Sequence, residues 1–158
     1  MSKPVLFCAV LGTIAGLMIP SREAPAPAAP QSATIANPGE PVRLRRQRDG
    51  HFYVHADVDG QLARFLVDTG ATRVALTEAD AERLGVKFDR EQYTIVGTGA
   101  SGPVRGQAVM LETVTVEGRQ ATRVPGVVLE GLEISLLGQA FLSRIGSIEI
   151  SGDVMTLN

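Results

Sequence analysis

One carboxylate in this chain stands where chemistry is most readily built. Asp68 follows the apolar run Phe65-Leu66-Val67 and is followed by Thr69, Gly70 and Ala71. An ionisable acid joined directly to a buried strand is costly unless its charge is shared, hydrogen-bonded or neutralised. A strand that merely ends in an Asp-Thr-Gly turn needs no chemistry. Such a triplet should arise by chance in roughly a few per cent of chains this long. Its surroundings must therefore decide.

Other candidate chemistries fall away. His51 and His55 lie four residues apart on a predicted strand, about 13 Å along the backbone and too far for one metal ion. They read as surface polar residues. Gly97, Thr98, Gly99, Ala100, Ser101 and Gly102 spell a literal G-x-G-x-x-G after a predicted strand. Pro103 and a further strand follow, so no helix N-terminus is offered to a pyrophosphate. The segment reads instead as the mobile, glycine-rich tip of a long hairpin. Ser101 lacks the nucleophile-elbow pattern of a serine hydrolase. The single cysteine, Cys8, supports neither a disulfide framework nor a cysteine metal site. A net charge of −2 gives no sign of a nucleic-acid partner. No metal or organic cofactor is implied.

The elements that must position Asp68 are short strands and turns. There is no tryptophan and there are 17 glycines, with Val, Leu and Ile supplying most apolar content. That composition favours strands over a helical bundle. Residues 51–58 alternate, with Phe52, Val54, Ala56 and Val58 on one face. Asp49-Gly50 and Asp59-Gly60 read as hairpin turns, and residues 61–67 as a strand whose apolar end, Phe65-Leu66-Val67, is buried as it runs into Asp68. Arg43, Arg45, Arg46 and Arg48 read as a solvated edge strand blunted by charge. Thr77-Glu78-Ala79-Asp80 resembles a capping box and Gly85 a stop, which predicts a short helix over 78–84. Its acids Glu78, Asp80 and Glu82 are expected on the solvent side, with no catalytic role. Further strands are expected over 104–109 and 113–116, and from 119 to a break at Pro125-Gly126, resuming at 127–129. Residues 134–138 read as a second apolar strand ending in glycine, and 139–144 as one or two helical turns. A last hairpin is expected around Ser151-Gly152-Asp153. The expected fold is all-β, about ten short strands in a small closed β-barrel with one or two short helices.

Three regions are expected along the chain. Residues 1–20 carry Lys3 and then an uncharged apolar run. As a helix, residues 5–19 would span about 22 Å, short of the roughly 30 Å hydrocarbon core. This fits a signal-peptide core or a short anchor. Residues 21–40 are Pro-, Ala- and Ser-rich and read as a tether. Residues 41–158 form the folded domain. Lys3 favours a cytoplasmic N-terminus, although the arginines after the segment weaken that orientation. The expected location is the bacterial inner membrane, held by one N-terminal segment with the domain facing the periplasm. The alternative is an exported soluble protein after signal cleavage.

Phe65-Leu66-Val67-Asp68-Thr69-Gly70-Ala71, the glycine-tipped hairpin and Ser135-Leu136-Leu137-Gly138-Gln139-Ala140-Phe141-Leu142 occur in an order and spacing that carry a resemblance. Over residues 50–158 the chain resembles the retropepsin-like aspartic proteases, and more narrowly their bacterial, membrane-tethered clan AA branch. The resemblance implies a half-pepsin barrel that dimerises, with one Asp-Thr-Gly loop from each subunit in a shared cleft that cleaves polypeptide. It assigns Asp68 as the catalytic aspartate, with Thr69, Gly70 and Ala71 completing the active-site loop. Gly97, Thr98, Gly99, Ala100, Ser101 and Gly102 correspond to the flap. Leu136, Leu137 and Gly138 correspond to the apolar-Gly segment packed beneath the loop. Gln139 departs from the Arg usual in retroviral members, which puts an ion pair made by that Arg in doubt. A non-catalytic peptide-binding or scaffolding domain of the same fold is the competing expectation.

Overall fold

The computed structural model describes residues 40–99 and 102–158. The expected leader over 1–20, the linker over 21–40 apart from Glu40, and the flap residues Ala100 and Ser101 lie outside the described residues. Among the described residues, no helix is long and apolar enough to cross a membrane.

Side-chain alternation builds the barrel. In β2 (Tyr53–Val58) the residues Val54, Ala56 and Val58 point inward. In β3 (Gln61–Val67) the inward set is Ala63, Phe65 and Val67. Asp59 and Gly60 join them with φ of 52° and 89°, the paired positive dihedrals of a type I′ turn. That turn sets the antiparallel register of Val54 with Phe65 and Val58 with Gln61. The chain continues through β4 (Val74–Thr77), α1 (Glu78–Arg83), a 3₁₀ turn (Arg90–Gln92), β5 (Thr94–Gly99) and β6 (Gly102–Val116). Then follow β7 (Arg119–Leu129), β8 (Leu136–Leu137), α2 (Gln139–Leu142), β9 (Ile148–Ser151) and β10 (Val154–Leu157).

Seven strands lie in the order β2-β3-β8-β4-β7-β6-β5. A further pairing of β2 with β6, Asp57 with Thr115 and Val58 with Val114, turns the sheet back on itself. The all-β barrel is thus a ring of six strands, with β5 left outside as a free edge. A second sheet holds β1 (Val42–Arg45), β10 and β9 in that order. One apolar core fills the domain, with Phe65, Leu76, Leu111, Leu137, Phe141 and Leu157 fully enclosed.

Several local expectations are corrected. The separate strands over 104–109 and 113–116 are one 15-residue strand, β6. Pro125-Gly126 does not break β7. Parallel pairing with β4 begins only at Gly126, so Pro125 occupies a stretch paired on one flank, where a missing N–H is tolerated. Asp49-Gly50 does turn the chain, but β1 pairs with β10 and β2 with β3, so it is no hairpin. The apolar stretch 134–138 contributes only two strand residues. β3 is not buried throughout, since Leu66 faces outward and is half-exposed.

Phe65 is fully buried, so Phe65→Ala is expected to cost about 3–5 kcal/mol by leaving a cavity. Urea unfolding at constant slope checks this, and a loss below about 1 kcal/mol would contradict the barrel packing.

Candidate active site

Asp68 leaves the end of β3 beneath a tight backbone lattice. Its N–H donates to the Leu137 carbonyl at 3.1 Å, and its carbonyl accepts from Ala71 N at 3.3 Å. Its carboxylate Oδ1 accepts from Gly70 N at 2.8 Å. The loop thus folds back so that its own amide aims at the acid. Downstream, Gln139 N donates to the Ala71 carbonyl at 2.8 Å and Ala140 N to the Thr72 carbonyl at 2.9 Å. Gln139 Nε2 also donates to the Thr69 carbonyl at 3.0 Å.

These contacts require β8 to pass between β3 and β4. Leu136 pairs with Leu66 in parallel and with Ala75 antiparallel. Gly138 then runs against the loop backbone. A Cβ at this position would stand 2.2 Å from the Arg73 carbonyl oxygen and 2.6 Å from that of Ala71. No real side-chain carbon tolerates such distances, so only glycine permits the approach. Gly70 is less constrained, because its Cβ would meet only Asp68 Oδ1, at 3.2 Å.

A buried hydroxyl braces this region from behind. Ser135 has no solvent exposure. Its carbonyl accepts from Leu66 N at 2.9 Å, and its Oγ accepts from Thr77 N at 3.1 Å. The same Oγ donates to Asp80 Oδ2 at 2.5 Å. Thr77 Oγ1 meanwhile caps α1 by accepting from Asp80 N at 2.9 Å. Asp80 also pairs with Arg83 at 2.7 Å, and Arg83 reaches the Leu62 carbonyl at 2.6 Å. Burial pushes the Asp80 carboxyl upward, but the Ser135 and Arg83 hydrogen bonds outweigh it and hold the group below its ordinary 3.8. The acids of α1 therefore do not all face solvent, as the sequence had led us to expect. Asp80 is a bracket tying α1 to the approach of β8.

Asp68 opens into a cleft of about 330 Å³ lined by Thr69, Leu66, His51, Arg46, Ile150 and Met155 among others. Among the described residues, Asp68 is the only carboxylate in that lining. Arg46 is exposed, as expected of this arginine cluster. Its guanidinium nevertheless lies 4.6 Å over the Phe52 ring. It also donates to Asp153 Oδ1 at 3.2 Å, the Gly50 carbonyl at 2.9 Å and the Gly152 carbonyl at 3.0 Å. It thereby fastens the three-stranded sheet beside the cleft. Nothing in the sequence separates it from Arg43, Arg45 or Arg48.

Asp68, Thr69, Gly70 and Ala71 are thus gathered with Leu137 and Gly138, while Leu136 lies beside Leu66. The hairpin residues Gly97, Thr98, Gly99 and Gly102 are on β5 and β6. They neither line the Asp68 cleft nor hydrogen-bond to its loop. Among the described residues, no group of three or more His, Cys, Asp or Glu side chains could hold a metal ion.

The model of the family described as "gag-polyprotein putative aspartyl protease" matches residues 54–144, which span the loop, the hairpin and β8. The chain belongs to this aspartyl protease family. An uncharacterized protein of Rickettsia prowazekii (strain Madrid E) is 37% identical over 118 residues, covering 74% of this chain and 51% of its own. A Sinorhizobium sp protein, known by its position in the cobV 5′ region, is 34% identical over 134 residues, 81% of this chain and 57% of its own. The chain therefore spans about half the length of the curated relatives it matches. The crystal structure of a retropepsin-like aspartic protease from Rickettsia conorii superposes with a TM-score of 0.65 at 35% identity, over 75% of this chain and 98% of that one. EIAV protease complexed with the inhibitor HBY-793 shares the fold at a TM-score of 0.50 and 22% identity, over 63% and 91% of the two chains. The retropepsin-like fold expected from the aspartyl protease motifs is the one observed.

Two measurements test this geometry. Gly138→Ala forces backbone apart and is expected to cost about 2 kcal/mol or more, with Gly70→Ala costing clearly less. Equal urea midpoints for the two variants would contradict the close approach. The stability due to Asp80 is present above the ordinary carboxylate range and is lost as pH falls through its lowered value. The fall of Tm on acidification below about pH 4 is therefore expected to be shallower in Asp80→Asn, with the two curves converging at the acid end. Parallel curves would remove Asp80 from the bracket.

Proposed function

We propose that this chain is an aspartic endopeptidase whose working site forms when the Asp68 loops of two copies meet at a two-fold axis. One observation carries the reading. Asp68 is held by backbone hydrogen bonds in the lining of a cleft to which, among the described residues, no other carboxylate contributes. Membership of the aspartyl protease family supports the same chemistry.

Peptide hydrolysis by this route needs two acids. One carboxylate takes a proton from water as the oxygen attacks the scissile carbonyl carbon, while the other, protonated, donates to the carbonyl oxygen. Collapse of the resulting diol breaks the C–N bond as a proton passes to the leaving nitrogen. Two carboxyls about 3 Å apart cannot both ionise, so the pair shares one proton and titrates as a unit. A two-fold interface sets identical residues opposite one another, which brings the second copy of Asp68 to the first. In that arrangement Thr69, Gly70 and Ala71 hold the acid from each side, Leu136, Leu137 and Gly138 support them, and residues 97–102 close over an extended polypeptide. The uncharged run after Lys3 favours tethering at the bacterial inner membrane, with the domain on the periplasmic side.

Asp68→Asn is expected to lower kcat on a peptide library by at least about 100-fold while leaving Tm and sedimentation unchanged. The wild-type pH–rate profile is expected to be bell-shaped on the acidic side of neutral. Wild-type turnover in the variant would remove the mechanism. Tight binding of a transition-state analogue with a central hydroxyl that Asp68→Asn destroys would favour the enzyme, whereas binding of peptides that survives Asp68→Asn without turnover would point to a scaffolding domain instead.

A further inference from the structure

The outer strand of the flap hairpin, β5, has little to rest on besides its pairing with β6. β5 is the free edge of its sheet, and every residue from Thr94 to Gly99 except Val96 is exposed, Ile95 by 68%. Its position over the domain must therefore be set at its root. There the side chains are densely partnered.

Tyr93, the residue before β5, is buried, and its hydroxyl donates to Glu78 Oε1 at 2.8 Å. Glu78 opens α1 and also accepts from Arg90 Nε at 3.0 Å. Arg90 bridges on to Glu82 at 3.1 Å, and Phe88 stacks on Tyr93 with ring centroids 6.3 Å apart. On the returning strand, Arg105 pairs with Glu130 at 3.1 Å and reaches the Tyr93 carbonyl at 3.4 Å. The Tyr93 hydroxyl and the Arg90 guanidinium hold the Glu78 carboxyl below the ordinary carboxylate range. Burial, with the Glu78 hydrogen bond, pushes the Tyr93 hydroxyl up to about 12. The two shifts run in the sense the bond needs, favouring a protonated Tyr93 donor and an ionised Glu78 acceptor.

Through Asp80 and Ser135 the same helix is tied to the segment beneath the Asp68 loop. One helix therefore touches both halves of the site. We propose that Tyr93 and Glu78 are positioning residues for the reaction, forming a latch through which α1 fixes the flap hairpin relative to the Asp68 loop. The consequence for catalysis rests on the endopeptidase reading, whereas the latch itself does not. Losing the bond frees the hairpin root, so that substrate is held less well while the chemical step, once substrate is enclosed, is little changed.

Tyr93→Phe keeps the ring packing and removes only the hydroxyl. In the full chain, amide hydrogen exchange in residues 94–99 and 102–106 is expected to accelerate about tenfold, as loss of a hydrogen bond to a charged group predicts. Exchange in Val154–Leu157 is expected to stay within about twofold. Glu78→Ala, which also releases Arg90, should accelerate exchange at least as much as Tyr93→Phe, and Glu78→Gln, which retains an acceptor, should fall between Glu78→Ala and wild type. On a peptide substrate, KM is expected to rise about five- to tenfold with kcat within about twofold. Unchanged exchange in the hairpin, or equal acceleration across the whole domain, would overturn the latch. So would a fall in kcat at constant KM. If wild type cleaves no peptide, the endopeptidase reading fails and the exchange pattern still decides the latch.

Discussion

The arrangement depends on one close approach, the passage of Gly138 against the carbonyls of Ala71 and Arg73. Backbone can come this near to backbone only where there is no side chain. Because it can, Gln139 N and Ala140 N reach the Ala71 and Thr72 carbonyls. β8 can then sit between β3 and β4 although it is only two residues long. The strand gains little from its own pairing. It is held by its neighbours, and in return it holds Asp68 through the Leu137 carbonyl. A carboxylate at the end of an apolar strand is thereby kept by the Gly70 amide and by backbone geometry, with no ion pair to it among the described residues.

Much of this was written locally in the chain. The alternation over 51–58 and the Asp-Gly turn at 59–60 specify β2, β3 and their register, because a one-residue slip would put Phe65 in water. Thr77, Asp80 and Gly85 mark both ends of α1 for the same local reason. What could not be read depends on partners distant in sequence. Pro125-Gly126 looks like a break until β4 is known to arrive only at Gly126. Arg46 is one arginine among four until Phe52 and the turn at Gly152-Asp153 are brought to it. Ser135 did leave a trace, as a lone hydroxyl in the apolar run Ile134-Ser135-Leu136-Leu137. A buried polar group demands partners, but which ones, Thr77 and Asp80, only the fold decides.

The helix α1 shows how the sequence reading fell short. Its three acids suit a solvated first turn beside the positive end of the helix dipole, and this account is complete without any tertiary contact. In the structure all three have partners, Glu82 with Arg90 at 3.1 Å. Asp80 faces back to Ser135 and the loop support, while Glu78 faces forward to Tyr93 and the hairpin. A helix of six residues has little stability of its own. Its persistence therefore depends on being gripped at both faces, by Ser135 behind the Asp68 loop and by Tyr93 at the root of the hairpin.

Gln139 bears on how the proposed two-fold site would be held together. Where the resemblance would set an arginine, this chain has a neutral amide whose Nε2 is already used on the Thr69 carbonyl of the same chain. The contact stabilises the loop within one subunit and adds no charge at the axis. A carboxylate pair needs one proton between its members, and a cation nearby would favour ionising both. An uncharged tether at this position steadies the loop and, in the proposed pair, would bring no cation to it. In the proposed enzyme, association of the two copies would then rest on the surfaces around the cleft, where Ile150 is exposed and Met155 lies beneath it, rather than on an ion pair made by residue 139.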